Sequence, residues 1–259
     1  MKVSEHIAAE CLSFDETLAG LASQRAHVDV LFSRLRRISS LPERALVLDI
    51  GAGTGGFVAA CLERDHTCKG VEPWDQARST AVAIGRQLDL PMDIVPGSAE
   101  DIPYPSDTFD LVHANSVMEH VADLDHALAE IFRVLKPGGV FWFYTASAMC
   151  PLQGEIQGFP LFGWYPDRLK RRIMDWAKDS RPHLVGRTQA PAVNWFTPWK
   201  TRALLRRHGF RRVYDRWDLR GQEESGKAYR LALDAVRSTK VSKALADVFV
   251  PDCSYAAVK

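Results

Sequence analysis

The chain has 259 residues, 46% hydrophobic and 25% charged, with a formal net charge of +1 at pH 7. That length suits one large domain or a domain with an insertion, and the composition is ordinary for a soluble globular protein. The near-neutral charge gives no strong overall field to draw in nucleic acid, and no stretch is long and apolar enough to span a bilayer. The five cysteines (Cys11, Cys61, Cys68, Cys150, Cys253) show no C-x-x-C spacing, so buried or free thiols in a reducing compartment are expected. The first residues, with Glu5, His6 and Glu10, lack the basic-then-apolar pattern of a signal peptide. A cytoplasmic location follows from these features.

Residues 15–38 carry helical periodicity, with Leu18, Leu21, Val28, Leu31, Leu35 and Ile38 near one face. They predict a leading helix within a helical segment 1–42, packed beside a sheet and partly covering the ligand, with Pro42 ending it.

The next element is Val47-Leu48-Asp49-Ile50, an aliphatic run that breaks into Gly51-Ala52-Gly53-Thr54-Gly55-Gly56. Glycines tolerate positive φ and let a ligand lie against bare backbone. Strand, glycine turn and helix (Phe57 to Arg64) are the layout of a nucleotide-type site at the carboxyl end of a parallel sheet. Gly51, Gly53 and Gly56 fit the G-x-G-x-x-G spacing of a dinucleotide site. Gly51, Gly53 and Gly55 fit the acid-x-G-x-G-x-G pattern of methyltransferases that use S-adenosylmethionine. Asp49 separates the two, because a carboxylate there repels a pyrophosphate but suits a donor that carries a sulfonium and an ammonium. Gly70-Val71-Glu72 closes a second strand about 20 residues after the first glycine, the spacing of an acid that hydrogen-bonds ribose hydroxyls. Trp74, just beyond, either packs on the adenosine or covers the sheet edge.

Further on come Pro96-Gly97-Ser98-Ala99-Glu100-Asp101-Ile102-Pro103, then Phe109-Asp110-Leu111-Val112, Asn115, Glu119-His120-Val121, and Arg133-Val134-Leu135-Lys136-Pro137-Gly138-Gly139. Phe109 to Ala114 and Val140 to Tyr144 read as buried strands. Asp123 caps a helix from Leu124 to Leu135, with Leu124, Leu128, Ile131 and Leu135 on one face. Proline and glycine in Lys136-Pro137-Gly138-Gly139 end it, the glycine supplying a left-handed exit. Over residues 45 to 147, with a weaker echo at 195–217, the chain resembles the class I S-adenosylmethionine-dependent methyltransferases. The branch in question includes ubiquinone and menaquinone biosynthesis enzymes and many small-molecule methyltransferases.

The resemblance implies an α/β fold: a doubly wound, mostly parallel seven-stranded sheet with the last strand antiparallel, in a single domain over 1–259. It also implies a donor site. Asp49, Gly51, Ala52, Gly53 and Gly55 form the turn, and Glu72, Pro73 and Trp74 follow the second strand. Ser98, Ala99 and Glu100 meet the adenine edge, and Asn115 and Ser116 end the fourth strand. The family has an acid where this chain has Ser98.

After Tyr144 the pattern becomes irregular and aromatic. Residues 148–196 read as an insertion, helical only over Asp167 to Lys178, and so long an irregular segment is usually functional. It is expected to cap the acceptor site, with Phe159, Trp164, Tyr165, His183 and Trp195 as substrate residues. Thr197 as cap and Pro198 at the first helical position start a helix to Arg207. Arg212 to Leu219 reads as the sixth strand, Glu223 to Asp247 as a helix, and Ser254 to Val258 as the seventh strand.

Methyl transfer from a sulfonium is mainly a positioning problem; a base is needed where the acceptor keeps its proton until attack. His120, at the carboxyl end of the fourth strand, is the candidate base, weighed against local pairing with Glu119 or Asp123. His113 is expected to pack inside its strand, and His126 to sit on a helix surface. Some ubiquinone-pathway relatives hold a cation with Glu-x-x-Glu-His. Here the matching residues are Ser116, Glu119 and His120, a poor hard-cation site, so no metal is expected. The basic runs Arg168, Lys170, Arg171, Arg172 and Arg202, Arg206, Arg207, Arg211, Arg212 read as solvated helix faces, or as a site for an anionic or lipid-linked acceptor. Phe159 to Tyr165 with the cations that follow also suits a membrane surface. The expected function is methyl transfer to a small molecule, at oxygen. The alternatives are a nicotinamide-dependent oxidoreductase and a non-catalytic cofactor-binding protein.

Overall fold

The computed structural model describes residues 13–151, 156–184, 192–221 and 226–259. The seven strands are ordered β3-β2-β1-β4-β5-β7-β6, from β1 (Leu46–Ile50), β2 (Thr67–Val71), β3 (Asp93–Val95), β4 (Phe109–Asn115), β5 (Leu135–Ala146), β6 (Arg212–Asp215) and β7 (Asp252–Val258). The sheet is mostly parallel with one antiparallel strand, as expected. The chain divides into two compact units.

The first unit holds residues up to Asn115, then 123–142 and the last two residues. β1 pairs in parallel with β2 on one side and β4 on the other. As an inner strand of a parallel sheet it is buried on its faces, so Leu46–Ile50 is almost wholly aliphatic. Helix α1 (Phe14–Leu35) starts with a reciprocal cap: Ser13 Oγ accepts from the Glu16 N–H and the Glu16 carboxylate from the Ser13 N–H. It buries Leu21, Val28, Leu31 and Leu35 but stops three residues short of the predicted Ile38. α2 (Gly56–Leu62) and α3 (Asp75–Leu88) follow β1 and β2.

Helix α4 (Leu124–Val134) is capped by Asp123, whose carboxylate accepts from the His126 N–H, as predicted. Its exit differs. Leu135 is already extended (φ −72°, ψ 137°), and the left-handed glycine is Gly138 (φ 81°), inside β5 rather than at the helix end. The helix needs no glycine cap because its last carbonyls are used elsewhere. Arg133 O and Val134 O accept from the backbone N–H groups of Asp107 and Thr108, and Phe132 O from Lys259 Nζ.

The second unit holds 116–122 and 143–257. Helix α5 (Asp167–Ser180) carries the predicted helical stretch of the insertion. Around it Ala148, Ile156, Phe162, Met174, Ala177, Ala192 and Trp195 form a small core of their own, with Phe159, Tyr165, Ile173 and Leu184 packed on it. α6 (Pro198–Arg207) begins at Pro198 as expected, with Thr197 extended at its cap, but the Thr197 side chain makes no capping hydrogen bond.

The predicted strand Arg212 to Leu219 is interrupted. β6 ends at Asp215, whose carboxylate accepts from the N–H groups of Trp217 and Asp218 and starts a single helical turn, α7 (Arg216–Leu219). The predicted helix from Glu223 to Asp247 is two helices, α8 (Lys227–Arg237) and α9 (Lys240–Val248); Glu223 itself lies outside the described residues. Thr239 breaks it, its side chain accepting from the Ser242 N–H in another reciprocal cap.

Candidate active site

The turn after β1 is built from left-handed backbone, with Gly51, Gly53 and Gly55 at φ 68°, 53° and 80°. A side chain at any of these is strained. The surroundings differ along the turn. A Cβ added at Gly55 would collide with the Met92 methyl and approach Ile94 at 3.0 Å, whereas at Gly53 it would meet nothing within 4 Å. The turn is therefore packed from beneath at Gly55 and open at Gly53. Thr54 is tied to α1 by a 2.8 Å hydrogen bond with Thr17.

Glu72, only 4% exposed, holds this turn to the next strand. Its Oε2 accepts from the Gly53 N–H at 2.8 Å and its Oε1 from the Trp74 N–H at 3.0 Å. Burial raises its pKa, and those two N–H groups pull it back down. Each oxygen keeps a second lone pair for a ligand hydroxyl. Pro73 is exposed and Trp74 half-buried at the start of α3.

Asp49 faces His113 across the β1–β4 ladder. Its Oδ1 lies 2.7 Å from His113 Nδ1, with both side chains almost fully buried. The imidazole is stacked between the Phe57 ring (centroids 3.6 Å apart) and the Trp142 ring (4.9 Å). His27 closes the group, its Nε2 at 3.4 Å from His113 Nε2, and burial lowers the His27 pKa to about 4. His113 packs, as expected, but it also engages the acid of the glycine motif. That partnership needs the strand pairing to be seen.

Past β3, Ser98 and Asp101 exchange backbone hydrogen bonds, and Ser98 Oγ accepts from the Glu100 N–H at 3.2 Å. Ala99 is buried, at 3% exposure, and the Glu100 carboxylate accepts from the Asp123 N–H. Asn115 and Ser116 are both exposed at the end of β4, Ser116 with left-handed backbone (φ 56°).

The second unit contains the turn that follows. Glu119 is 7% exposed, and its carbonyl accepts from the N–H groups of Val193 and Asn194 at 2.8 and 3.1 Å. The Asn194 amide donates to Met118 O and Val121 O, clamping the turn. His120 is half-buried, with Nε2 4.0 Å from Glu119 Oε1. The sequence offers Glu119 as a local partner of His120, but its burial has no local signature. Among the described residues no three His, Cys, Asp or Glu side chains gather as a metal group would require.

Of the expected substrate residues, Trp195 is buried, Phe159 and Tyr165 pack against the insertion's core, and Trp164 is exposed with Nε1 donating to Met149 O. His183 is exposed in a single helical turn. Two cations of the basic runs are engaged by carboxylates rather than left to solvent alone. Lys170 is 2% exposed, with Nζ 3.0 Å from Asp167 Oδ1 and 4.3 Å over the Trp195 ring. Arg202 is paired with Asp215 and Asp218. Cys61, Cys68, Cys150 and Cys253 are buried, and Cys11 lies outside the described residues. No helix among the described residues is long and apolar enough to cross a membrane.

Residues 48–143 match a protein family described as a methyltransferase domain. A ubiquinone biosynthesis O-methyltransferase of Paramagnetospirillum magneticum is 30% identical over 169 residues, covering 62% of this chain and 64% of that one. A sterol 24-C-methyltransferase of Schizosaccharomyces pombe is 37% identical over 102 residues, 38% of this chain and 27% of that one. The chain thus spans less than two thirds of the length of these relatives. In three dimensions it is similar to a phosphoethanolamine N-methyltransferase of Haemonchus contortus solved with S-adenosylmethionine. The TM-score is 0.56 at 17% identity, over 88% of this chain and 51% of that one.

Proposed function

We propose that the chain is a class I S-adenosylmethionine-dependent methyltransferase and that it moves a methyl group from that donor to an oxygen of a small-molecule acceptor. The observation that carries the reading is the turn after β1, where an open left-handed glycine, Gly53, is held at its N–H by a buried carboxylate, Glu72. In this reading Gly51, Ala52 and Gly53 offer bare backbone to the donor, and Gly55 sets the curve of the turn. Glu72 accepts its ribose hydroxyls, with Pro73 and Trp74 beside the sugar. Asp49, braced by His113, balances the positive end. Ser98, Ala99 and Glu100 take the adenine edge, and Asn115 and Ser116 line the end of β4. When bound, the donor supplies a methyl group on a cationic sulfur, open to in-line displacement.

The choice of oxygen is supported by the O-methyltransferase among the relatives and by two proton acceptors, Glu119 and His120, in one turn after β4. The relatives' names include carbon and nitrogen methylation too, so the acceptor atom is the finer part of the proposal. Phe159, Trp164, Tyr165, His183 and Trp195 are assigned to the acceptor, and the exposed cations Arg168, Arg171 and Arg172 suit an anionic or lipid-linked one. Buried thiols fit a reducing compartment, the cytoplasm.

The test is thermal denaturation with S-adenosylhomocysteine and with NAD, followed by a screen of metabolite extracts with methyl-labelled S-adenosylmethionine. Stabilisation by S-adenosylhomocysteine alone, and label in a small molecule, are expected. Stabilisation by NAD alone would overturn the reading.

A further inference from the structure

Helix α9 is turned inside out: its charged residues face the protein and its large apolar residues face water. Lys243 Nζ pairs with the carboxylates of Asp215 and Asp218, and the buried Asp247 accepts from Trp217 Nε1 at 2.7 Å. Val241, Leu245 and Phe249 follow one another at four-residue spacing, so they share the opposite face, and they are 60–83% exposed. Helix α8, which packs on α9, turns the same kind of face outward. Its Ala228, Leu231, Ala232 and Ala235 stand at the i, i+3, i+4 and i+7 positions that ordinarily meet a core, yet all four are exposed. Leu233 is buried, and Arg237 Nε ties the helix down by donating to Trp217 O at 2.7 Å.

We propose that the outer face of α8 and α9 docks on an anionic phospholipid membrane. Leu231, Val241, Leu245 and Phe249 enter the boundary between headgroups and acyl chains, and Lys227, Arg230 and Lys240 meet lipid phosphates. The proposal stands apart from the methyl-transfer reading, since this face contains neither the glycine turn nor a residue assigned to the acceptor.

Exposed apolar patches rimmed by polar residues mark contacts with a protein or a membrane, and the charge of the rim decides between them here. The two helices expose Lys227, Arg230 and Lys240 against a single acid, Asp234. Two copies meeting through this face would bring cations against cations, which opposes pairing. An anionic bilayer satisfies both parts of the surface, because basic residues beside bulky apolar ones are what holds a helix flat in the interface. A free interfacial helix keeps its polar face in water; in α9 the carboxylates of Asp215 and Asp218 and the indole of Trp217 take that face instead.

The experiment floats the full-length chain, without donor or acceptor, on vesicles of phosphatidylcholine alone and of phosphatidylcholine mixed with phosphatidylglycerol. The variants are Phe249→Ser, Leu245→Ser, a triple Lys227→Gln, Arg230→Gln, Lys240→Gln, and Trp176→Ser, which alters an exposed tryptophan on α5. All change exposed side chains, and melting curves check that each variant folds; the charge variant probes the face independently of the serines. Support would be binding to the mixed vesicles only, weakened by salt. Each serine variant should then bind about tenfold or more weakly, the triple variant about a hundredfold, at about fivefold per cation, and Trp176→Ser like the wild type. A wild-type chain that stays unbound, or that binds neutral vesicles equally well, overturns the proposal. So does binding that Trp176→Ser abolishes and Phe249→Ser keeps, which would move the contact to the insertion. Sedimentation without lipid covers the remaining occupant: a dimer split by Phe249→Ser, with no vesicle binding, would make this face an interface between copies and overturn the membrane assignment.

Discussion

Asp49 and His113 lie side by side on β1 and β4, joined by a 2.7 Å hydrogen bond, so the acid of the glycine motif is oriented by an imidazole held in an aromatic stack. His113→Phe keeps a flat ring between Phe57 and Trp142 but removes the donor. A buried charged group left unpaired costs about 1–3 kcal/mol or more, so urea denaturation should show a loss of about 2 kcal/mol. The same variant should bind S-adenosylhomocysteine more weakly, because Asp49 is no longer held in place. Unchanged stability and affinity together would show that the pair does neither job.

Gly53 and Gly55 share positive φ but not surroundings, and alanine separates the two effects. At Gly53 the added methyl meets open space, so the cost to folding is the backbone strain alone, about 1–2 kcal/mol. The methyl stands where the donor is proposed to lie, so S-adenosylhomocysteine binding should fall at least tenfold. At Gly55 the methyl must also displace Met92 and crowd Ile94, so the loss of stability should be larger. Melting curves and calorimetry on the two variants check the order. A Gly53→Ala protein with wild-type affinity would place the donor elsewhere.

The parallel sheet and its glycine turn were legible because their cues are local. An aliphatic run, three spaced glycines and an acid after the second strand each declare themselves within a few residues. The cap by Asp123 was legible for the same reason. The helix exit at Leu135 was not, because the groups that satisfy the last carbonyls come from Asp107, Thr108 and Lys259, distant in sequence. Asp215 and Thr239 interrupt elements that hydrophobic pattern alone had continued, and their capping partners lie three residues on, where the pattern reads as helix or strand. The Asp49–His113 pair spans 64 positions and exists only once β1 and β4 are in register. Lys170 was grouped with solvated cations because its neighbours Arg168, Arg171 and Arg172 are exposed. One position along a helix turns a side chain by about 100°, from water into the insertion's core.

That buried lysine gives a further expectation. Its stem and ammonium fill the space between Asp167, Gly163 and Trp195. Replacing a buried ion pair with a well-packed hydrophobe is often close to neutral, whereas deleting the side chain leaves a void. Lys170→Met should therefore keep the insertion intact, and Lys170→Ala should loosen it. Chymotrypsin should then cut within 148–196 several-fold faster in Lys170→Ala alone, with S-adenosylhomocysteine affinity unchanged. Equal cleavage in the two variants would mean that the charge, not the packed volume, holds the segment.

Two buried groups with oppositely displaced pKa values shape the stability profile. Glu119 is raised from 4.5 to about 7. Between those pH values the folded state holds a proton that the unfolded chain has lost, so this group makes stability fall as pH rises. His27 is lowered from 6.5 to about 4. Between those values the unfolded chain holds the extra proton, so stability rises with pH. From about pH 4.5 to 6.5 the two slopes oppose and the wild-type profile should be flat with respect to them. Glu119→Gln removes the first slope and exposes the second, so its urea-derived stability should climb through that range. Above pH 7 it should exceed the wild type by up to about 3 kcal/mol, at about 1.4 kcal/mol per pH unit. His27→Phe should do the reverse and lose stability steadily from pH 4.5 to 7. A Glu119→Gln protein that is no more stable than wild type at pH 8 would show that burial does not hold the carboxyl proton in the folded chain.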